Sequence, residues 1–432
     1  MVLIPDIETK SLKEIEIWQN RRLSEALTYL QAKSVFYQQK FQKERIDITK
    51  IRTIHDLQHI STSNKSDLFI YNQDFICVSQ GEIRDYVTTS GTSGDPVTFA
   101  LSDNDLERLA YNEAISFACA GAKPGEVFQL MTTMDKRFMA GLAYFLGIRK
   151  LGASMVRVGN GIPELQWESI ERFKPSTIIC VPSFIVKLVD YAQKNGIDFR
   201  NSSVQKAVCI GENLRTQDFS LNLLGQRIKS LWNIELYSTY ASTEMGASFT
   251  ECAHGCGGHH HPELLVAELL DEQGNAVPQG ETGELTITTL GVEAMPLLRF
   301  RTGDLCRFYD EPCACGRNTI RISPIVGRLN QMLKIKGTTI YPPVVFDILD
   351  HMEEVQNYVV EISSSDLGTD VLKIFVDCTQ IYDGVEKEIK DKFRAKLRIA
   401  PELCIVSREE VLKMQKVAER RKPIKFIDNR GS

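Results

Sequence analysis

Thr88, Thr89, Ser90, Thr92 and Ser93 crowd around Gly91 and Gly94. Glycine lets a backbone turn tightly and approach a ligand closely. Successive N–H groups in such a turn form an anion-binding nest, and the hydroxyls add donors. The chemistry that suits this segment is the cradling of a polyphosphate. It is not a Walker loop, because the Gly-Lys-Ser/Thr ending is missing and Asp95-Pro96 follows instead. A solvated turn is the alternative reading of the same residues. Val87 before the loop and Val97-Thr98-Phe99 after it predict a tight connection between two strands.

A second constellation gathers Cys252, His254, Cys256, His259, His260 and His261, with Cys313 and Cys315 further on. Structural zinc takes four Cys or His ligands in a tetrahedral array. The expected set is Cys252, His259, Cys313 and Cys315, with His260 and His261 as bystanders. The spacing is not that of a standard finger. The competing reading is a flexible glycine-rich loop with exposed histidines and free thiols.

Ser90-Gly91-Thr92-Ser93-Gly94-Asp95-Pro96 resembles the phosphate loop of acyl-adenylating enzymes. Tyr240-Ala241-Ser242-Thr243-Glu244, Arg301-Thr302-Gly303-Asp304-Leu305 and Gly327-Arg328-Leu329-Asn330 follow in order. Their order and spacing resemble the phenylacetate–coenzyme A ligase branch of that superfamily. The likeness runs from Phe36-Tyr37 to Asp428-Asn429-Arg430 and so covers nearly the whole chain.

That resemblance implies an ATP-dependent acid–thiol ligase. A carboxylic acid, aryl or other, would attack the α-phosphate of ATP, pyrophosphate would leave, and coenzyme A would displace AMP from the acyl-adenylate. Ser90, Gly91, Thr92, Ser93 and Gly94 would cradle the leaving pyrophosphate. Tyr240, with Ala241 and Ser242, would line the adenine site. Thr243 would bond the α-phosphate and Glu244 would hold Mg²⁺, which prefers hard oxygen ligands. Asp304 would accept the ribose hydroxyls and Arg328 would pair with ribose or phosphate oxygens. Lys422 would stabilise the α-phosphate during adenylation. Asn330 would serve as the hinge, and Lys336, Gly337 and Tyr341 would face coenzyme A. Two positions depart from the family pattern: Asp95 stands where lysine is common, and Asn330 where aspartate is common. Two other readings stay in view, and these two positions keep the second of them open. One is an adenylating enzyme whose acceptor is a carrier-protein thiol or an amine. The other is a zinc-stabilised nucleotide-binding protein without catalysis.

These residues need elements to hold them. Residues 8–75 read as mainly helical, with Ile15, Trp18, Leu23, Leu27 and Leu30 at helical spacing. From about 80 to 240, strand-like runs such as Thr177–Val181 and Ala207–Gly211 alternate with helix-like runs such as Ser183–Tyr191. That alternation predicts an α/β fold with mainly parallel sheet flanked by helices. Gly211-Glu212-Asn213 ends a strand, where open α/β sheets bind ligands, and joins the expected nucleotide site. Residues 263–325 read as a small β-rich subdomain carrying the zinc site. The expected domains are residues 1–328, the adenylating domain, and 329–432, a small α+β lid in which Val385–Leu397 reads as an amphipathic helix.

The chain has 432 residues, is 43% hydrophobic and 25% charged, and carries a formal net charge of −5. This is a globular composition. The absence of a long basic run argues against nucleic acid as a partner. No apolar run reaches the length of a membrane helix and the N-terminus lacks a leader pattern, so a cytoplasmic location is expected, with no membrane partner. Eleven cysteines, scattered through a large chain, read as mostly buried thiols rather than a disulfide framework. A homodimer is compatible with all of this.

Overall fold

A computed structural model describes residues 4–89, 97–331, 333–335, 338–364, 370–397, 399–417 and 423–430. The chain divides into two compact units, Met1–Pro324 and Ile325–Ser432. Among the described residues, no helix is long and apolar enough to cross a membrane.

The first unit opens on the helix Leu12–Lys33, started by a capping box between Ser11 and Glu14. Its buried residues Ile15, Gln19, Leu23, Leu27 and Leu30 lie three or four positions apart, which places them on one face.

The centre of the unit is a nine-stranded mixed sheet. Val127–Leu130, Ser154–Arg157, Thr177–Cys180, Lys206–Ile210 and Glu235–Ser242 run parallel. Both faces of this parallel part are covered. Ile178, Cys180, Ala207 and Cys209 pack with Trp167, Leu188, Ile228 and Trp232 from the helices on one side. The alternate residues Phe128, Leu130, Ile179, Val208 and Ile210 pack with Phe117, Tyr144 and Ile148 on the other. Burial on both faces explains why these strands read as continuous apolar runs.

Pairing turns antiparallel after Glu235–Ser242, through Ala247–Glu251 and Gly258–His259. Arg321–Ile322 and Phe308–Tyr309 continue the same sheet. Part of the segment expected to belong wholly to the small β subdomain thus extends the large sheet. The separate antiparallel group is Leu265–Leu270, Gly283–Thr289 and Phe300–Cys306. Its register slips between Glu284 and Thr286, so Thr302, Gly303 and Asp304 bulge opposite Leu285, with Gly303 at φ +79°. Such a bulge re-aims side chains.

Ile83–Thr88 and Thr98–Ser102 form an antiparallel pair, as the flanking valines predicted. The base of their connection is closed by Thr89 N–H to the Val97 carbonyl, 3.0 Å, and Val97 N–H to Thr89 Oγ1, 3.0 Å.

The second unit holds a four-stranded sheet ordered Glu402–Ile405, Asp370–Cys378, Val355–Ser364, Phe426–Asp428. Val345, Ile348 and Leu349 of the helix Pro342–Asp350, with Ile389 and Phe393 of Val385–Leu397, pack on Val360, Ile362 and Ile374.

Candidate active site

Among the described residues, Gly211–Asn213 and Tyr240–Glu244 lie at the C-terminal ends of two parallel strands, where the sheet changes from parallel to antiparallel. Gly211 follows Lys206–Ile210 with φ +76°, a conformation that favours glycine. Glu212 turns to the start of the helix Pro182–Lys194, where its carboxylate accepts Ser183 N–H at 2.9 Å and the Ser183 hydroxyl at 3.0 Å. An anion there also complements the helix dipole. The Asn213 carbonyl accepts Asn222 Nδ2–H at 2.7 Å.

Tyr240, Ala241 and Ser242 end the neighbouring strand, and Thr243 and Glu244 occupy the turn that follows. Both are half-buried, while Ala241 is exposed. Ser242 Oγ accepts Met245 N–H at 3.3 Å within that turn. Across the gap, Asp304 is buried on the bulged strand, and Tyr240 donates its hydroxyl proton to Asp304 Oδ2 at 2.7 Å. The bulge is held by Glu284, which accepts Gly303 N–H at 2.9 Å and pairs with Arg301. Arg299 pairs with Glu268 at 3.1 Å and donates to the Ile60 carbonyl at 2.8 Å. Tyr240 and Asp304, from two motifs far apart in sequence, are thus direct partners.

Arg328 lies on the short strand Gly327–Arg328 of the second unit, and Tyr341 caps the helix Pro342–Asp350 there. A Cβ on Gly327 would stand 2.6 Å from the Tyr341 ring, so this glycine lets the tyrosine lie on the backbone. Asn330 falls in the 3-10 helix Leu329–Gln331; its side chain is outside the described set. Ser90, Gly91, Thr92, Ser93, Gly94, Asp95, Lys336, Gly337 and Lys422 all lie outside the described residues.

The second constellation converges. The ligand atoms of Cys252, His259, Cys313 and Cys315 lie within 4.8 Å of one another. Cys252 and Cys313 Sγ are 3.6 Å apart, and His259 Nε2 is 3.5 Å from Cys315 Sγ. Three thiols and one imidazole form a donor set that fits a tetrahedral zinc site. Hydrogen bonding from Cys252, reinforced by His259, draws the Cys315 thiol far below its ordinary value against the effect of burial.

His254 is exposed, but His259, His260 and His261 are all buried rather than lying on an exposed loop. His260 and His261 stand outside the four-residue group, as expected, and are engaged elsewhere. His260 Nε2 lies 2.7 Å from the Leu265 carbonyl. His261 Nδ1 lies 2.5 Å from Glu8, whose other oxygen accepts Arg317 Nε–H at 2.6 Å. Arg317 Nη1 in turn stands 3.6 Å from Cys315 Sγ. Burial raises the Glu8 carboxyl, but His261 and Arg317 outweigh it and hold the group below its ordinary value. Glu8 was not anticipated as a partner of His261 and Arg317, since it lies 253 and 309 residues from them along the chain.

The family model for AMP-binding enzymes matches residues 17–294. A phenylacetate-coenzyme A ligase of Thermus thermophilus is 31% identical, over 82% of this chain and 79% of its own length. The corresponding ligase of Escherichia coli is 28% identical over 78% of this chain and 76% of its own. Among solved structures, 2-hydroxyisobutyryl-CoA ligase in its postadenylation state, bound to R3-HIB-AMP, shares the fold. Its TM-score is 0.85 at 21% identity, over 99% of this chain and 94% of that one.

Proposed function

Because this chain belongs to the AMP-binding enzyme family, we propose that it is an AMP-forming acid–thiol ligase of the phenylacetate–coenzyme A ligase kind. It activates an aryl or other carboxylic acid with ATP and passes the acyl group to coenzyme A. The observation that carries this reading is the joining of two distant motifs, Tyr240–Glu244 and Arg301–Asp304, through the Tyr240–Asp304 hydrogen bond.

A carboxylate is a poor acylating agent, so the first task is to neutralise phosphate charge. Thr243 meets the α-phosphate and Glu244 offers a hard oxygen ligand to Mg²⁺. Asp304 accepts the ribose hydroxyls. Ser90–Gly94 cradle the departing pyrophosphate with backbone N–H groups and hydroxyls. Gly211–Asn213 and Tyr240–Ser242 border the nucleotide, and Arg328 reaches ribose or phosphate oxygens. Lys422 adds positive charge to the adenylation transition state, where fixed electrostatics count most. Residues 329–432 act as a lid that turns near Asn330, bringing Lys336, Gly337 and Tyr341 to the thiol for the second step.

A zinc ion on Cys252, His259, Cys313 and Cys315 fits as a structural element. Cys252 directly follows Ala247–Glu251, the strand on the far side of the turn that carries Thr243 and Glu244. The proposed ligands therefore pin the distal end of the hairpin that bears the catalytic turn.

The test is pyrophosphate release with ATP, Mg²⁺ and a panel of aryl and short aliphatic acids, followed by addition of coenzyme A. Acid-dependent release and a coenzyme A thioester are expected. Release without thioester would point to a carrier-protein or amine acceptor. No release with any acid would overturn the reading.

A further inference from the structure

Arg108 sits on the helix Asp103–Cys119 and is only 8% exposed. Three carbonyls surround its guanidinium. Nε donates to Leu290 at 2.8 Å, Nη1 to Gly246 at 2.6 Å and Nη2 to Leu264 at 2.5 Å. Leu264 and Leu290 lie beside the strands Leu265–Leu270 and Gly283–Thr289 of the antiparallel group. Gly246 closes the turn that carries Thr243 and Glu244. A guanidinium spreads its donors over three nitrogens in fixed, divergent directions, so it spans three separated carbonyls, whereas the three donors of an ammonium all radiate from one nitrogen.

Two more features show that this position is built. One turn earlier on the helix, Asp105 accepts Glu293 N–H at 2.8 Å and Ala294 N–H at 2.9 Å, so the helix is anchored to the antiparallel group. Gly246 has φ +51°, and a Cβ there would stand 3.2 Å from Arg108 Nη1. The turn is therefore shaped to receive the fork. Burial lowers the guanidinium only to about 10, with Asp105 and Glu263 opposing, so it stays charged at neutral pH.

We propose that Arg108 is a positioning residue for adenylation: it holds the Thr243–Gly246 turn in the pose that meets the α-phosphate and Mg²⁺, while touching neither. The proposal rests on the ligase reading above. Removing the fork frees the Gly246 carbonyl and lets Thr243 and Glu244 wander, so its effect concentrates on Mg·ATP rather than on the acid.

The experiment uses the full chain with Arg108→Lys, Gly246→Ala, both together, and Trp167→Phe as a remote core control. Arg108→Lys keeps the charge and loses the fork. It is expected to fold, to raise KM for Mg·ATP about tenfold in ATP–pyrophosphate exchange, and to leave KM for the acid unchanged. Amide exchange across residues 242–247 should quicken. Gly246→Ala approaches the same clamp from the other side and should give the same shift. The double variant should be no worse in KM than the worse single one. Trp167→Phe should lose thermal stability without moving either KM. A folded Arg108→Lys with wild-type KM and unaltered exchange at 242–247 overturns the proposal while the ligase reading stands. If Arg108→Lys does not fold, Gly246→Ala with a wild-type KM overturns it alike. Wild-type protein with neither exchange activity nor Mg·ATP binding overturns both.

Discussion

Tyr240 and Asp304, 64 residues apart in sequence, share a hydrogen bond of 2.7 Å from the phenolic hydroxyl to Oδ2. The bond joins the end of a strand in the large sheet to the bulge of a strand in the antiparallel group. A carboxylate has several acceptor sites, so Asp304 can keep Tyr240 while accepting hydroxyls from a ribose. The tyrosine then orients the aspartate.

Removing the two groups should have unequal effects. Hydrogen bonds to a charged group contribute about 1.5–3 kcal/mol, so Tyr240→Phe should raise KM for ATP about tenfold. Asp304→Ala loses the proposed ribose acceptor and should cost about a hundredfold or more in kcat/KM for ATP. ATP–pyrophosphate exchange measures both. An Asp304→Ala protein with wild-type KM for ATP would remove Asp304 from the nucleotide site.

Glu244→Gln and Lys422→Ala should separate the two half-reactions. Both should cut adenylation, by about a hundredfold or more: on the proposed reading Glu244→Gln loses the ligand of the Mg²⁺ that neutralises the phosphates, and Lys422→Ala loses positive charge at the α-phosphate. Lys422→Ala should largely spare thioester formation from supplied acyl-adenylate and coenzyme A, if the lid turns away from the site for the second step as proposed. Single-turnover assays of each step decide. Intact adenylation in folded Glu244→Gln rules out its magnesium role; intact adenylation in Lys422→Ala rules out a lid lysine at this site.

Protein purified without a histidine tag should contain about one zinc per chain. The double variant Cys313→Ser/Cys315→Ser should contain none and should melt earlier, because the hairpin end loses its clasp. Elemental analysis and calorimetry are the measurements. Full zinc occupancy in the double variant would mean other ligands.

Glu113 supplies a pH prediction. It is buried, and burial pushes its carboxyl up to about 8, with Asn112 opposing. A raised carboxyl binds its proton more tightly in the folded than in the unfolded state. Stability from this group is therefore undiminished below the unfolded value near 4.5 and falls as pH rises toward 8. Glu113→Gln should leave the melting temperature at pH 4.5 nearly unchanged and raise it at pH 8, by at most several kcal/mol of stability. Parallel pH–melting curves for the two proteins would show otherwise by staying a constant distance apart.

Much of this was legible before folding. Local composition and periodicity announced the buried strand Thr177–Cys180, the helix Pro182–Lys194 and the amphipathic helix Val385–Leu397. The chemistry-bearing motifs were legible too, because their residue types sit close together along the chain. Cys252, His259, Cys313 and Cys315 could be nominated as one group from donor chemistry helped by the family resemblance, but that His259 is the histidine beside the three thiols came from the fold.

What only the tertiary structure decided concerns partners distant in sequence. The strands Phe308–Tyr309 and Arg321–Ile322 are too short to show a period, and they join the large sheet because Arg321 pairs with His259. Glu8 reads as one more N-terminal carboxylate until His261 and Arg317 enclose it. Arg108 reads as an ordinary charge on a helix until the carbonyls of Gly246, Leu264 and Leu290 surround it. A side chain's identity states which bonds it can make. Which bonds it does make depends on how the chain brings distant carbonyls, thiols and carboxylates within about 3 Å, and that is settled by packing rather than by neighbours in sequence.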